Sequence, residues 1–219
     1  PLLGRMGRRL PRHPGAIARR PCPPPHIVTT RPRPHLAAMT QYSIHTREGW
    51  PSDAATLLAD YPREAWPGHP NFAQSIQNWL GAHQGFRQLG DLVRSSTEEF
   101  LDREIAPDRY ARALGYYGNI LVRNLHGHHT WEDRNFFPEI SAVDDRFDHG
   151  LDTLESDHHV LDETIETLTE QANRTIKLVQ LDELQARSEA GKLHDTAAGL
   201  ERFLDRHLTD EEDLIVPID

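Results

Sequence analysis

The sequence predicts an all-α protein, an antiparallel up-down four-helix bundle preceded by an irregular N-terminal arm. Two observations favour this fold class. Apolar residues recur at the three- and four-residue spacing of an amphipathic helix in four long stretches, and the alternation typical of strands is scarce. The links between these stretches are short, which favours helices that run antiparallel to their neighbours.

The four helices can be placed from their apolar stripes and their start and stop signals. We expect the first to begin after an N-cap at Asn71 and to end near Val93, ahead of a new start at Ser95–Thr97. Pro107 suits the first turn of the second helix, which we expect to stop before Pro138. The third and fourth helices are expected at about 147–179 and 189–214.

Composition divides the chain into three parts. Residues 1–38 contain eight arginines, nine prolines and no acidic residue, so we expect a disordered basic extension. Three interpretations of it stay open: an organelle-targeting peptide, a polyanion-binding arm, or a non-native addition with the biological start at Met39. Residues 39–70 are interrupted by proline and are expected to form the irregular arm, with one helical turn near 54–59. Residues 71–219 would form the bundle.

Charge and composition exclude several classes of protein. From Met39 onward the chain carries 34 acidic and 16 basic residues, a balance that disfavours nucleic acid as a partner. No stretch approaches the roughly 20 apolar residues of a membrane helix. The single cysteine, Cys22, excludes an internal disulfide framework and a cysteine-rich metal site. We see no secretory signal and expect a cytoplasmic protein.

Histidine replaces an apolar residue once on the stripe of each predicted helix. Each of these histidines follows an apolar stripe residue by seven positions, which is two helical turns, so all four should face the core. Burying four imidazoles without partners would cost a few kcal/mol each, about the cost of any unpaired polar group. The sequence therefore predicts a ligand bound by His83, His128, His158 and His207.

An internal repeat adds two carboxylates to this set. The segment His128–Pro138 aligns without a gap to His207–Pro217, and both contain His-x3-Glu. The paired side chains lie on one side of a helix, so Glu132 and Glu211 can reach the same point as their histidines. Two related helical hairpins would thus bring four imidazoles and two carboxylates together.

This donor set indicates a pair of metal ions. Imidazole and carboxylate without thiolate suit iron, manganese or zinc. Two octahedral ions offer about twelve positions, and four imidazoles, two bridging carboxylates and a shared oxo or hydroxo group take about ten. About two positions would remain for a small ligand such as oxygen, peroxide or nitric oxide.

These motifs resemble the hemerythrin-like HHE cation-binding domain family over residues 76–217. The resemblance rests on His83, His128-x3-Glu132, His158 and His207-x3-Glu211. It implies a left-handed four-helix bundle with two non-haem iron ions. Members of the family variously bind oxygen, sense oxygen or iron, or react with peroxide and nitric oxide.

The chain departs from the oxygen carriers of this family at one position. Oxygen carriers have a fifth histidine one turn after the third-helix histidine, where this chain has Asp162. Either the site has four histidines and two carboxylates, or Asp162 is a further oxygen ligand. We therefore expect a poor oxygen carrier. Glu212 is the rival of Glu211, since carriers use a carboxylate five residues after the last histidine.

The groups around the predicted ligands are assigned more simply. Asp157 and Asp133 are expected to orient imidazole N–H groups. His129 and His159 lie about 100° from the stripe and are expected beside the ligands or at the surface. Three uses of the site stay open: a sensor or stress-protection protein, an enzyme that reduces peroxide or oxygen or donates iron for cluster repair, and a structural bundle that binds zinc.

Overall fold

Five α-helices account for most of the residues that the computed structural model describes, which are 42–50 and 57–218. The prediction of an all-α protein is confirmed, because these residues form a helical bundle without a β-strand. A π-helix at Glu132–Phe136 joins the second helix to the third. The helices are α1 Gln74–Leu101, α2 Pro107–Trp131, α3 Phe137–Val143, α4 Asp148–Val179 and α5 Glu183–Ile215.

Helix α1 differs from its predicted bounds at both ends. Ala73, not Asn71, occupies its N-cap position and makes no capping hydrogen bond, while the backbone N–H of Asn71 donates to His69 Nδ1 in the preceding turn. It also runs on through Ser96 and Thr97, so the predicted break there is wrong. Both hydroxyl groups donate to the carbonyl of Val93, at 3.2 and 2.7 Å, which satisfies them inside a continuous helix.

Helix α2 begins at Pro107 as predicted, but the helical path does not stop before Pro138. The backbone N–H of Phe137 donates to the carbonyl of Glu132, five residues earlier, and this closes the π-helix. Pro138 then lies in the first turn of α3, where a missing N–H is tolerated. The proline therefore begins a short helix instead of ending a long one.

The remaining two helices follow their predictions with one extension. Helix α4 lies within one residue of its predicted bounds. Helix α5 begins six residues before the predicted Glu189, because Asp182 caps it by accepting from the backbone N–H groups of Leu184 and Gln185 at 3.0 and 3.1 Å.

The helices place a polar layer between two apolar clusters. Helix α1 packs on α2 and α5, and α4 packs on the same two helices. The larger cluster includes Phe86, Leu125 and Leu204, and the smaller one includes Trp79, Phe137 and Leu214. Between them lies the polar layer, which consists of His83, His128, His129, Glu132, His158, His207 and Glu211.

The described part of the arm is held against the bundle. Residues 42–50 form turns, and Ile44 is buried in the larger apolar cluster. Arg63–Gly68 form a 3₁₀-helix in which Trp66 is buried in the smaller cluster. Residues 54–56 of the predicted helical turn near 54–59 lie outside the described residues, as does the basic extension at 1–38, while residues 57–59 form a turn. No helix in the described ranges has the length and apolar character that crossing a membrane requires.

Candidate metal centre

All six predicted ligands lie in the polar layer, and the structure adds a seventh side chain, His129. The donor atoms form two groups, and within each group they lie within 4.8 Å of one another. We call His83, His128, Glu132 and Glu211 the first group. His129, His158 and His207 form the second group.

In the first group, two imidazoles and two carboxylates face one another. His83 Nε2 lies 3.0 Å from His128 Nε2 and 3.6 Å from Glu211 Oε2. His128 Nε2 lies 2.8 Å from Glu132 Oε1, which also accepts from the indole N–H of Trp79 at 2.8 Å. Four potential ligand side chains from four helical elements therefore converge on one point.

The second group consists of three imidazoles. His158 Nε2 lies 3.2 Å from His207 Nε2, and the ring of His129 stacks on that of His158 with 4.2 Å between centroids. Phe137 stacks on the His158 ring at 5.6 Å. All three histidines are buried, so the group is shielded from bulk solvent.

The two glutamates lie within reach of both groups. Glu211 Oε2 lies 3.6 Å from His83 Nε2 and 3.8 Å from His207 Nε2. Glu132 Oε1 lies next to His128, while its other oxygen, Oε2, lies 3.9 Å from His158 Nε2. Each carboxylate therefore connects an imidazole of the first group with one of the second.

Three imidazoles are oriented by carboxylates at their outer nitrogen. The Nδ1 atoms of His83, His158 and His207 lie 3.1, 2.6 and 3.2 Å from the carboxylates of Glu212, Asp133 and Asp157. An ionised carboxylate only accepts, so Nδ1 is the donor in each pair. The lone pair of each ring is therefore on Nε2, which faces the polar layer, and this is the tautomer that binds a metal.

Arginines hold two of these carboxylates in place. Arg47 pairs with Asp157 at 2.6 Å, and Arg63 and Arg87 pair with Glu212 at 2.8 and 2.9 Å. Burial by itself raises the pKa of Glu212. Hydrogen bonds from His83, Arg63 and Arg87 outweigh that effect and lower it to about 2. Glu212 is thus fixed as an anion that faces His83.

Several buried atoms of the polar layer make no hydrogen bond within the described chain. These atoms are both ring nitrogens of His129, both carboxylate oxygens of Glu211 and Oε2 of Glu132. Buried polar groups almost always have partners, so five orphaned donor atoms at one place call for a bound species. Their chemistry is that of imidazole and carboxylate, which fits a cation such as iron, manganese or zinc.

Burial also shifts the protonation of these side chains. It raises the pKa of Glu211 well above its ordinary value, and the negative charge of Glu132 adds to the effect. Burial lowers the pKa of His129 well below its ordinary value, lowers that of His83, and lowers that of His207 to about 4. The three imidazoles are therefore neutral near pH 7, as metal ligation requires.

His129 is a candidate ligand that the sequence analysis did not select. It was expected beside the ligands or at the surface, yet it is buried within the second group. A signal for it was present, because Leu121 and Leu125 are fully buried and His129 follows them at eight and four residues. Counting only in steps of seven selected His128 and missed its neighbour.

Asp162 and His159 are not part of the polar layer. Asp162 is exposed and its carboxylate lies 3.3 Å from Nδ1 of the equally exposed His126, so the alternative that makes it a ligand is wrong. His159 is exposed, in keeping with one of its two expected positions. Glu212, the rival of Glu211, contacts Nδ1 of His83, whereas the Nε2 atom of His83 faces the polar layer. Glu211, and not Glu212, belongs to the first group.

The fold and the site together define a helical bundle with buried clusters of histidine and carboxylate that could hold a metal ion. The family model of the hemerythrin HHE cation-binding domain matches residues 74–218, which is about two thirds of the chain. The chain therefore belongs to the hemerythrin HHE cation-binding domain family. No curated protein and no solved structure matches it significantly.

Proposed function

We propose that this chain is a non-haem di-iron protein that binds, or reacts with, a small ligand such as oxygen, nitric oxide or peroxide. One observation carries the proposal. Glu132 and Glu211 each lie within 4 Å of an imidazole from both groups, and three of their four oxygens have no other partner in the described chain. Carboxylates so placed fit two neighbouring cations better than one.

The residues would divide between two ions. His83 and His128 would hold one, His129, His158 and His207 would hold the other, and the two glutamates would bridge them. The short links and the pairing of each long helix with two others support the up-down antiparallel topology that would bring these side chains together.

The unequal number of imidazoles bears on where a small ligand binds. Two six-coordinate ions offer about twelve positions, and five imidazoles, two bridging carboxylates and one shared hydroxide take about eleven. The remaining position would belong to the ion held by only two histidines. An iron pair in such a site supplies redox chemistry and an open place for a diatomic ligand or peroxide.

The chain itself provides a dry, ordered surrounding for that chemistry. The ring of Trp79 lies 4.1 Å from that of His83, and the ring of Phe86 lies 5.0 Å from that of His128. Trp79, Phe86 and His83 are buried, and His128 is half-buried. The indole N–H of Trp79 donates to Glu132 and fixes that carboxylate. These residues exclude water beside the two-histidine side and hold its ligands in one orientation.

The expectation of poor oxygen carriage rested on a site with only four imidazoles. The structure offers a fifth from His129, so that premise no longer holds. Reversible oxygen binding is therefore one of the outcomes that the functional test must distinguish.

Iron content and the visible spectrum test the proposal directly. We expect two irons per chain and an oxo-to-iron absorption band in the wild type, both strongly reduced in His158→Ala. His159→Ala is the matched control, because this neighbouring histidine is exposed and should leave both unchanged. Zinc in place of iron, or a His158→Ala protein with two irons, would contradict the proposal.

Rapid mixing experiments would then separate the uses of the centre. A reversible spectrum on mixing the reduced protein with oxygen would indicate a binding or sensing role. Sustained turnover of peroxide with a reductant would indicate an enzyme.

A further inference from the structure

We propose that Arg47, which lies outside the family-matched residues 74–218, is a positioning residue of the metal centre. It would act through Asp157 on the imidazole of His207. The inference rests on the proposed function only in taking His207 as a metal ligand.

Arg47 is buried, and its guanidinium is surrounded by carboxylate and carbonyl oxygens next to the metal centre. Its guanidinium pairs with Asp157 at 2.6 Å and with Asp210 at 2.7 Å, and it donates to the carbonyl of Tyr42 at 2.6 Å. Only 2% of its side chain is exposed. A charged group this deeply buried is stable only when its partners are fixed, so the guanidinium and both carboxylates must hold one geometry.

Asp157 transmits this geometry to the ligand. Its Oδ2 atom accepts from Arg47 Nη2 at 2.6 Å and from His207 Nδ1 at 3.2 Å. The same oxygen is thus shared by the arm and by the imidazole. With Asp157 fixed, His207 keeps its proton on Nδ1 and directs the lone pair of Nε2 at the polar layer.

No second cation in the described ranges takes over this role. Within ion-pair distance of Asp157 the described chain offers only Arg47 and His207. Glu212, which orients His83, is different, because Arg87 from α1 supports it together with Arg63 from the arm. The His207 side of the centre therefore depends on the arm alone.

Arg206 provides the matched control. It pairs with Asp210, as Arg47 does, and donates to the backbone carbonyl of Glu48, so it also holds the arm. It makes no contact with Asp157 among the contacts of the described residues. Removing Arg206 takes away one support of the arm but leaves the contacts of Arg47 with Asp157, Asp210 and Tyr42 in place, so the carboxylate behind His207 should keep its position.

Two measurements on Arg47→Met, Arg47→Lys and Arg206→Met test the inference. The first is nitrogen-15 NMR of the histidine rings in the metal-free protein, which reports the tautomer of His207. The second is the rate at which a chelator removes iron from the loaded protein, together with its visible spectrum. Far-ultraviolet circular dichroism checks that each variant is folded.

For Arg47→Met we expect a mixed tautomer at His207, a shifted spectrum and iron release faster by about tenfold to a hundredfold, as for other residues that orient ligands. Arg47→Lys keeps the charge and should fall between this variant and the wild type. Arg206→Met should stay within about twofold of the wild type. These values follow if the fork of the guanidinium orients Asp157.

Two results would overturn the inference. One is an Arg47→Met protein with the wild-type tautomer and release rate, and the other is an Arg206→Met protein that matches Arg47→Met. If Arg47→Met does not fold, Arg47→Lys decides by the same measurements, and wild-type behaviour in it counts against the proposal. A wild type that binds no iron, but whose His207 tautomer depends on Arg47, would instead contradict the proposed function alone.

Discussion

The two halves of the metal centre follow one plan but supply different ligands. The first half comprises His83 on α1 and the segment after His128, and the second comprises His158 on α4 and the segment after His207. In each half the lone histidine donates to a carboxylate of the other half, His83 to Glu212 and His158 to Asp133. These two carboxylates occupy equivalent places in the repeat, so the contacts repeat as well.

Two of the differences between the halves change the site. His129 of the first half corresponds to Leu208 of the second, and Asp157 of the second half corresponds to Ala82 of the first. The shared plan provides the two glutamates that lie between the groups. The differences give one group three imidazoles and the other two, and they give only one side a link to Arg47. The repeat thus gives both halves the same arrangement of histidine and carboxylate, and single residue differences give them unequal numbers of imidazoles and unequal supporting contacts.

The substitution His129→Leu would remove the first difference by copying Leu208 into the first half. We expect iron to fall from two per chain to about one, because the second group would keep only His158 and His207. Metal analysis after desalting measures this. His126→Leu, at an exposed histidine on the same helix, should keep two irons. Retention of both irons in His129→Leu would show that His129 is not a ligand.

The equivalent carboxylates Glu212 and Asp133 allow the shared plan to be tested. Glu212→Gln and Asp133→Asn should each weaken iron binding by about tenfold to a hundredfold, since each orients a ligand imidazole. The effect of Glu212→Gln should be larger, because Glu212 also pairs with Arg63 and Arg87. Equilibrium competition with a chelator gives both values, with Asp162→Asn as an exposed control. Wild-type affinity in both variants would refute the equivalence.

The two equivalent glutamates differ in protonation in the metal-free protein. Burial and the charge of Glu132 raise the pKa of Glu211. For Glu132, hydrogen bonds from His128 and Trp79 outweigh burial and lower the pKa. A raised pKa gives stability that is lost as pH rises above the unfolded value of about 4.5, whereas a lowered pKa gives stability that is present above that value and lost in acid.

Unfolding free energies of the metal-free protein between pH 3 and 8 would measure this contrast. Relative to Glu211→Gln, the wild type should lose stability as pH rises above about 4.5. Relative to Glu132→Gln, it should lose stability as pH falls below about 4.5. Each shifted pKa unit corresponds to about 1.4 kcal/mol. Two differences with the same sign would contradict the predicted contrast.

The smallest effect is expected far from both halves, in the larger apolar cluster. There the hydroxyl of Tyr110 donates to Thr97, whose own hydroxyl donates to the carbonyl of Val93. Tyr110→Phe removes one hydrogen bond and should cost about 1 kcal/mol of unfolding free energy. Iron content should stay at the wild-type value. A loss of iron in this variant would mean that the two regions are coupled.

Much of the fold followed from periodicity. The stripe of α4 gave bounds within one residue of those observed, Pro107 gave the start of α2, and the all-α class is confirmed. The errors arose at residues that are compatible with two local structures, a helix boundary and a helix interior or first turn. Ser96 and Thr97 bonded back within α1 instead of capping a new helix, and Pro138 began a helix instead of ending one.

The sequence indicated one histidine on the apolar stripe of each helix, and the internal repeat indicated the two glutamates. Histidines and glutamates spaced by seven and four residues lie together in the polar layer. Two features were beyond such reasoning. The π-helix that follows His129 changes the local winding, and the pairing of Arg47 with Asp157 joins residues 110 positions apart. Neither has a periodic signature.

The sequence repeat shared by the two hairpins also bears on whether such a centre is built from one chain or from two. A homodimer of identical hairpins would have one sequence on both sides, so every histidine gained or lost would appear twice. A single fused chain is free of that restriction. The difference between His129 and Leu208 is of this kind, and in the proposed centre it would give one ion three imidazoles and the other two.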